Sequence, residues 1–102
     1  MKQQYDPSQV SKVIDQSLGY QCACPAQVCK AIFELRDLHR YQMECLNDSG
    51  NDALVHTAIA EATERSHALM EECLTRVLQI EGWDLASLEM PAQLQSKARK
   101  TI

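Results

Sequence analysis

Apolar residues recur at three- and four-residue spacing along most of this chain, the signature of amphipathic helices. Between about 53 and 81 one such stripe runs Val55, Ile59, Ala62, Ser66, Leu69, Cys73, Val77, Ile80. A second runs His56, Ala60, Thr63, His67, Met70, Leu74, Leu78. Between about 25 and 46 the matching stripes are Val28, Ile32, Leu35, His39, Gln42, Leu46 and Ala31, Glu34, Leu38, Tyr41, Cys45. Nothing alternates with the period of two that a strand needs, and nothing repeats internally. The pattern predicts an all-α chain.

Punctuation residues divide it. Asp6-Pro7-Ser8 caps a first short helix over about 9–18, and Gly19-Tyr20 ends it. Cys24-Pro25 opens the second helix with proline in its tolerated first turn, after a link at 21–24. The run Asn-Asp-Ser-Gly-Asn-Asp at 47–52 is a turn signal, with Asp52 as cap of the third helix and Gly82 as its stop. Trp83-Asp84 starts a short helical segment to about 89, and Pro91 interrupts before the tail. The expected organisation is one domain over 1–102: a short helix and cysteine-bearing link (1–24), a hairpin plus short helix (25–90) and a tail (91–102).

A helix with two apolar stripes needs cover on two sides. The hairpin partner covers one, and the first helix is too short to cover the other. A second copy of the chain is the economical cover, which predicts an antiparallel hairpin dimerising into a four-helix bundle.

Size and charge narrow the function. The chain has 102 residues, 45% apolar, but only 5% aromatic, so a monomeric core is marginal and self-association is expected. Net charge is −4, which argues against a nucleic-acid surface. The one basic cluster, Lys97, Arg99 and Lys100, reads as a solvated helix end. No apolar run reaches membrane-spanning length and Met1-Lys2-Gln3-Gln4 has no signal-peptide core. The expectation is a cytoplasmic protein whose five cysteines are reduced.

Within this frame one constellation carries chemistry. Glu64-x-x-His67 places a carboxylate and an imidazole one helical turn apart. Folding back near Gly50 brings Glu34 level with them. Two copies would then offer four Glu and two His, the ligand set of a di-iron carboxylate bundle. Glu34 and His67 lie on the second stripes, where a ligand would enter an inter-chain core, and Glu64 lies roughly 70° off, at the edge of that face. Glu64 would bridge the irons, Glu34 bind terminally, His67 ligate one iron, and Tyr41 hydrogen-bond a ligand from two turns beyond Glu34. His56 is too far along the helix to share a metal with His67.

Glu34, Tyr41 and the run Glu64-x-x-His67-Ala68-x-Met70-x-x-x-Leu74 resemble the encapsulated ferritin-like proteins, a hairpin branch of the ferritin-like superfamily. The resemblance spans roughly 34–90. It implies a di-iron site shared by two chains, two irons per dimer, and ferroxidase-type oxidation of Fe(II). Where that family carries acidic residues flanking the first ligand, this chain has Phe33 and Arg36.

Two other classes stay open. Cys22, Cys24 and Cys29 sit near the hairpin's open end, where Cys29 is level with Cys73, and four thiols gathered there would bind Zn or Cu(I) or form a redox pair. Against this, Cys-x-Cys-x4-Cys is not standard zinc spacing, and Cys29 and Cys73 point to different sides of their helices. The third class is an acidic helical interaction protein with no chemistry, which dimerises or binds a partner helix.

Overall fold

The structure, a computed structural model, describes residues 1–18, 23–49, 53–92 and 94. Among these it is all-helical: α1 (Pro7–Ser17), α2 (Cys24–Ser49) and α3 (Ala53–Glu81). The only extended pairing among the described residues is an isolated bridge between Asp84 and Glu89.

The helix ends follow from local chemistry. Asp6 is the N-cap of α1: its Oδ1 accepts from Gln9 N at 2.9 Å, and Gln9 Oε1 accepts from Asp6 N at 2.9 Å. This reciprocal box satisfies two donors that the first turn would leave bare. Bonds from Ser8 Oγ and the Gln9 amide also favour the ionised carboxyl, lowering its pKa from 3.8. Pro25 sits in the first turn of α2, where the missing amide hydrogen costs nothing. Gly82, at φ 82°, closes α3: Trp83 N donates to Leu78 O at 2.9 Å and Gly82 N to Gln79 O at 3.1 Å. Those two bonds are a Schellman cap, which needs the left-handed residue that glycine supplies. The second helix runs to Ser49, past the expected 46. The expected stop at Gly19-Tyr20, the cap Asp52 and the turn at 50–52 lie outside the described residues.

The segment after α3 corrects one expectation. Residues 83–89 form a turn rather than a short helix. Asp84 Oδ1 accepts from Ala86 N and Ser87 N at 2.8 and 2.9 Å, Leu88 N donates to Asp84 O at 2.7 Å, and Leu88 takes φ 58°. Side-chain capping by an aspartate competes with continued helix. The turn also reverses the chain, so Trp83, Leu88 and Met90 all become buried.

These side chains join Val10 and Val13 of α1, Cys29 and Ile32 of α2, Leu74 and Leu78 of α3, and Tyr5 and Leu94 in one apolar core. Met90 N donates to Gln16 Oε1 at 3.0 Å, tying the turn to α1. The core therefore sits where α1, the start of α2 and the end of α3 meet. Beyond it, α2 and α3 pack on each other, with the extended residues ahead of α1 laid across them at Arg36 and Glu71. The molecule measures 54 × 24 × 18 Å, a rod whose thinnest dimension is under two helix diameters. No described helix is long and apolar enough to cross a membrane.

The faces are paired differently from the expectation. On α3 the stripe carrying Ala60, Thr63, His67, Leu74 and Leu78 is buried against α2. On α2 the buried stripe carries Ile32 and Gln42. The first stripe of α3 lies mostly outside, with Val55 53%, Leu69 64% and Ile80 74% exposed and Ile59, Cys73 and Val77 half-buried. Leu38 and Tyr41 of α2 are likewise exposed, and so is Glu34. Glu34 and His67 thus lie on opposite kinds of face, one outer and one inner. The reason is polar: Arg36 on α2 draws His67 and its neighbour Glu71 inward.

Candidate functional site

On α3, His67, Glu71 and Thr75 follow at intervals of four, so they form one ridge along the helix. Arg36 reaches this ridge from α2, and the extended residues Gln4 and Tyr5 cross it ahead of α1. Arg36 is 7% exposed, His67 0% and Glu71 4%. Charged groups this deep must be paired, because an unpaired buried charge loses its hydration with nothing in return.

The pairing is nearly complete. Arg36 Nε donates to His67 Nε2 at 2.9 Å. Arg36 Nη2 donates to the Tyr5 carbonyl at 2.5 Å and to Glu71 Oε2 at 3.2 Å. The same Glu71 oxygen accepts from the amides of Gln4 and Tyr5 at 2.8 and 3.0 Å. The Tyr5 and Thr75 hydroxyls hydrogen-bond each other, and Gln4 Nε2 donates to Thr75 Oγ1 at 3.3 Å. One arginine and one carboxylate therefore clamp the chain's first segment to both long helices. Arg36 Nη1 and His67 Nδ1 are the two buried side-chain atoms that lack a hydrogen-bond partner among the described residues.

These contacts dictate the state of His67. An arginine Nε always carries its hydrogen, so His67 Nε2 must accept and the neutral ring holds its proton on Nδ1. Nδ1 lies 3.6 Å from Glu71 Oε1, beyond hydrogen-bond reach. Burial pushes the imidazole pKa below 6.5; the nearby Glu71 charge opposes this and Arg36 adds to it. His67 is thus a buried neutral acceptor. Its one free lone pair is spent on Arg36, so in this arrangement it has none for a proton or a metal.

The other expected ligands are elsewhere. Glu64, half exposed, bonds His39 Nε2 at 2.9 Å rather than turning to His67. Glu34 and Tyr41 face outward on α2. Among the described residues no group of three or more His, Cys, Asp or Glu side chains could hold a metal ion. One chain therefore does not assemble Glu34, Glu64 and His67 into a di-iron ligand set. The two-chain arrangement would also require Arg36 to release His67 Nε2. His56 Nδ1 pairs with Gln42 Oε1 at 2.7 Å, consistent with a structural part.

The thiols are also dispersed. Cys29 is 0% exposed in the apolar core, and burial pushes its thiol up to about 12. A thiol so buried stays protonated and is a poor nucleophile or metal ligand. Cys73 is half-buried on the outer stripe of α3, Cys24 is exposed at the start of α2, and Cys22 lies outside the described residues.

The Arg36–Glu71 pair escaped the sequence reading, although it left a signal. Arg36 sits one turn after Ile32, beside the stripe of α2 that becomes buried, and Glu71 sits one turn after His67. Opposite charges intruding on two apolar faces at one level are the mark of a buried pair. Arg36 was visible only as a departure from the ferritin-like pattern.

No family model, curated protein or solved structure matches this chain.

Proposed function

We propose that this chain is a self-associating helical interaction module: α2 and α3 form a hairpin, and two copies build a four-helix bundle through the apolar side that one copy leaves bare. The observation that carries this reading is the outer stripe of α3, where Val55, Leu69 and Ile80 are each more than half exposed at helical spacing. Leu38 and Tyr41 of α2, 40% and 61% exposed, extend it. The cross-helix bonds pair Arg36 with His67, His39 with Glu64 and Gln42 with His56, numbers that rise on one helix as they fall on the other. At 100° per residue each outer stripe lies roughly 130° from its own buried stripe, with the same sign. In helices of opposite sense, equal offsets emerge on the same side of the pair, so both stripes share one surface. A contiguous apolar surface of this kind marks an association site.

The buried clamp supports the same reading. Apart from Arg36 Nη1 and His67 Nδ1, its polar atoms are consumed in holding the segment at 4–5 against the two helices.

Sedimentation equilibrium tests the proposal. The wild-type chain should be dimeric at tens of micromolar. Leu69→Glu should be monomeric with unchanged helical circular dichroism. A monomeric wild type overturns the reading. Anaerobic Fe(II) binding at about one iron per chain, lost in each of Glu34→Ala, Glu64→Ala and His67→Ala, would put the di-iron reading in its place.

A further inference from the structure

We infer that the two copies meet through α3 in an antiparallel register, with Glu61 facing Arg76 and Arg65 facing Glu72 across the interface; this rests on the self-association proposed above. The four residues are exposed and flank the bare stripe on one side. Within the helix, Glu61 and Arg65, and again Glu72 and Arg76, have the four-residue spacing that favours intrahelical pairing. None of them makes an ion pair among the described residues. Their order is acidic, basic, acidic, basic. Glu61 and Arg76 are equidistant from the midpoint between Ala68 and Leu69, and so are Arg65 and Glu72.

A two-fold axis at that midpoint turns the order into complementarity. Each acidic residue then stands level with a basic residue of the second copy, giving four ion pairs along one edge of the seam. In a parallel pair these flanks would fall on opposite edges of the seam, so the four contacts form only in the antiparallel arrangement. The apolar positions agree with the same axis. Within about 3 Å along the helix, Val55 meets Ile80, Ala62 meets Cys73 and Ser66 meets Leu69 of the second copy. Small opposite large at the last of these layers lets the helices approach and interdigitate. A cleft of about 490 Å³ beside the seam is lined by Gln4, Leu69, Glu72, Cys73 and Arg76. It leaves the side chains of Glu72 and Arg76 room to reach across.

Cysteine chemistry reads the register directly. Positions 62 and 73 of one helix are about 16 Å apart, so they cannot be bridged within a chain. Ala62→Cys should form, under mild oxidation, an inter-chain disulfide between the introduced thiol and native Cys73, identified by peptide mapping and lost in Ala62→Cys/Cys73→Ser. A link between the two introduced thiols at position 62 would overturn the antiparallel register. Charge reversal gives the second arm. Arg65→Glu/Arg76→Glu and Glu61→Arg/Glu72→Arg should each weaken self-association by about tenfold. An equimolar mixture should recover wild-type affinity as a heterodimer. Reversed chains that self-associate as tightly as wild type would overturn the charge pairing while leaving self-association intact. A monomeric wild type would remove both.

Discussion

The two faces of α3 make an instructive pair. They share one helix and one spacing, yet one is covered and the other mostly bare. The covered face is the more polar: besides Leu74 and Leu78 it buries Thr63, His67 and Glu71. The bare face offers Val55, Leu69 and Ile80. Hydrophobicity alone would have chosen the opposite face. A specific partner decided it, because Arg36 can be buried only where Glu71 and His67 meet it, and their removal from water is tolerable only together.

That comparison can be broken most severely at the pair itself. Arg36→Met leaves Glu71 charged and buried without its cation and should cost about 3–5 kcal/mol, most of the stability of a small domain. Urea unfolding of the variant measures it. Adding Glu71→Met should restore part of the loss, but only part, because the amides of Gln4 and Tyr5 then lose their acceptor. A single variant as stable as wild type would mean that burial of α3 does not depend on the pair.

Truncating a leucine on each face sharpens the contrast. Leu74→Ala, at zero exposure, should cost about 2–5 kcal/mol in the same experiment. Leu69→Ala should change monomer stability by less than about 0.5 kcal/mol and instead weaken association.

Acidity tests the buried imidazole. The pKa of His67 in the folded chain lies below its ordinary 6.5, so the unfolded chain takes up the proton first. The contribution is fully present above about pH 6.5 and is lost as pH falls through that value toward the folded pKa. His67→Gln should flatten the stability profile in this window relative to wild type, and an unchanged profile would place the proton elsewhere. At Gly82 the expected cost is smaller than at Arg36 or Leu74. A methyl group there meets nothing within 4 Å, so Gly82→Ala should cost only the left-handed backbone, about 1–2 kcal/mol.

What was legible follows the range of the forces. Asp6, Pro25 and Gly82 act on their own neighbours, so the helix ends they set could be read directly from residue types. Asp84 acts just as locally, but its residue type fits a helix start as well as a turn. Its side chain instead folded the amides of Ala86 and Ser87 into a turn. The di-iron expectation rested on Glu64-x-x-His67 sharing a face. One turn of helix does put them close, but periodicity names faces without saying what covers them. Cys29 shows the same limit: a fold-back near Gly50 sets it level with Cys73, whereas the fold puts it in the apolar core.

The chain by itself determined that this protein is helical, where α1 begins and α3 ends, and that two sides of each long helix are apolar. These depend on capping, glycine conformation and a 3.6-residue period, all of which operate within a few residues. Only the tertiary structure decided which stripe is inside. It also decided that His67 is a neutral acceptor, and that Glu64 turns to His39. Those outcomes depend on Arg36 meeting Glu71 across 35 residues of sequence, a contact set by the net free energy of burying a charge pair.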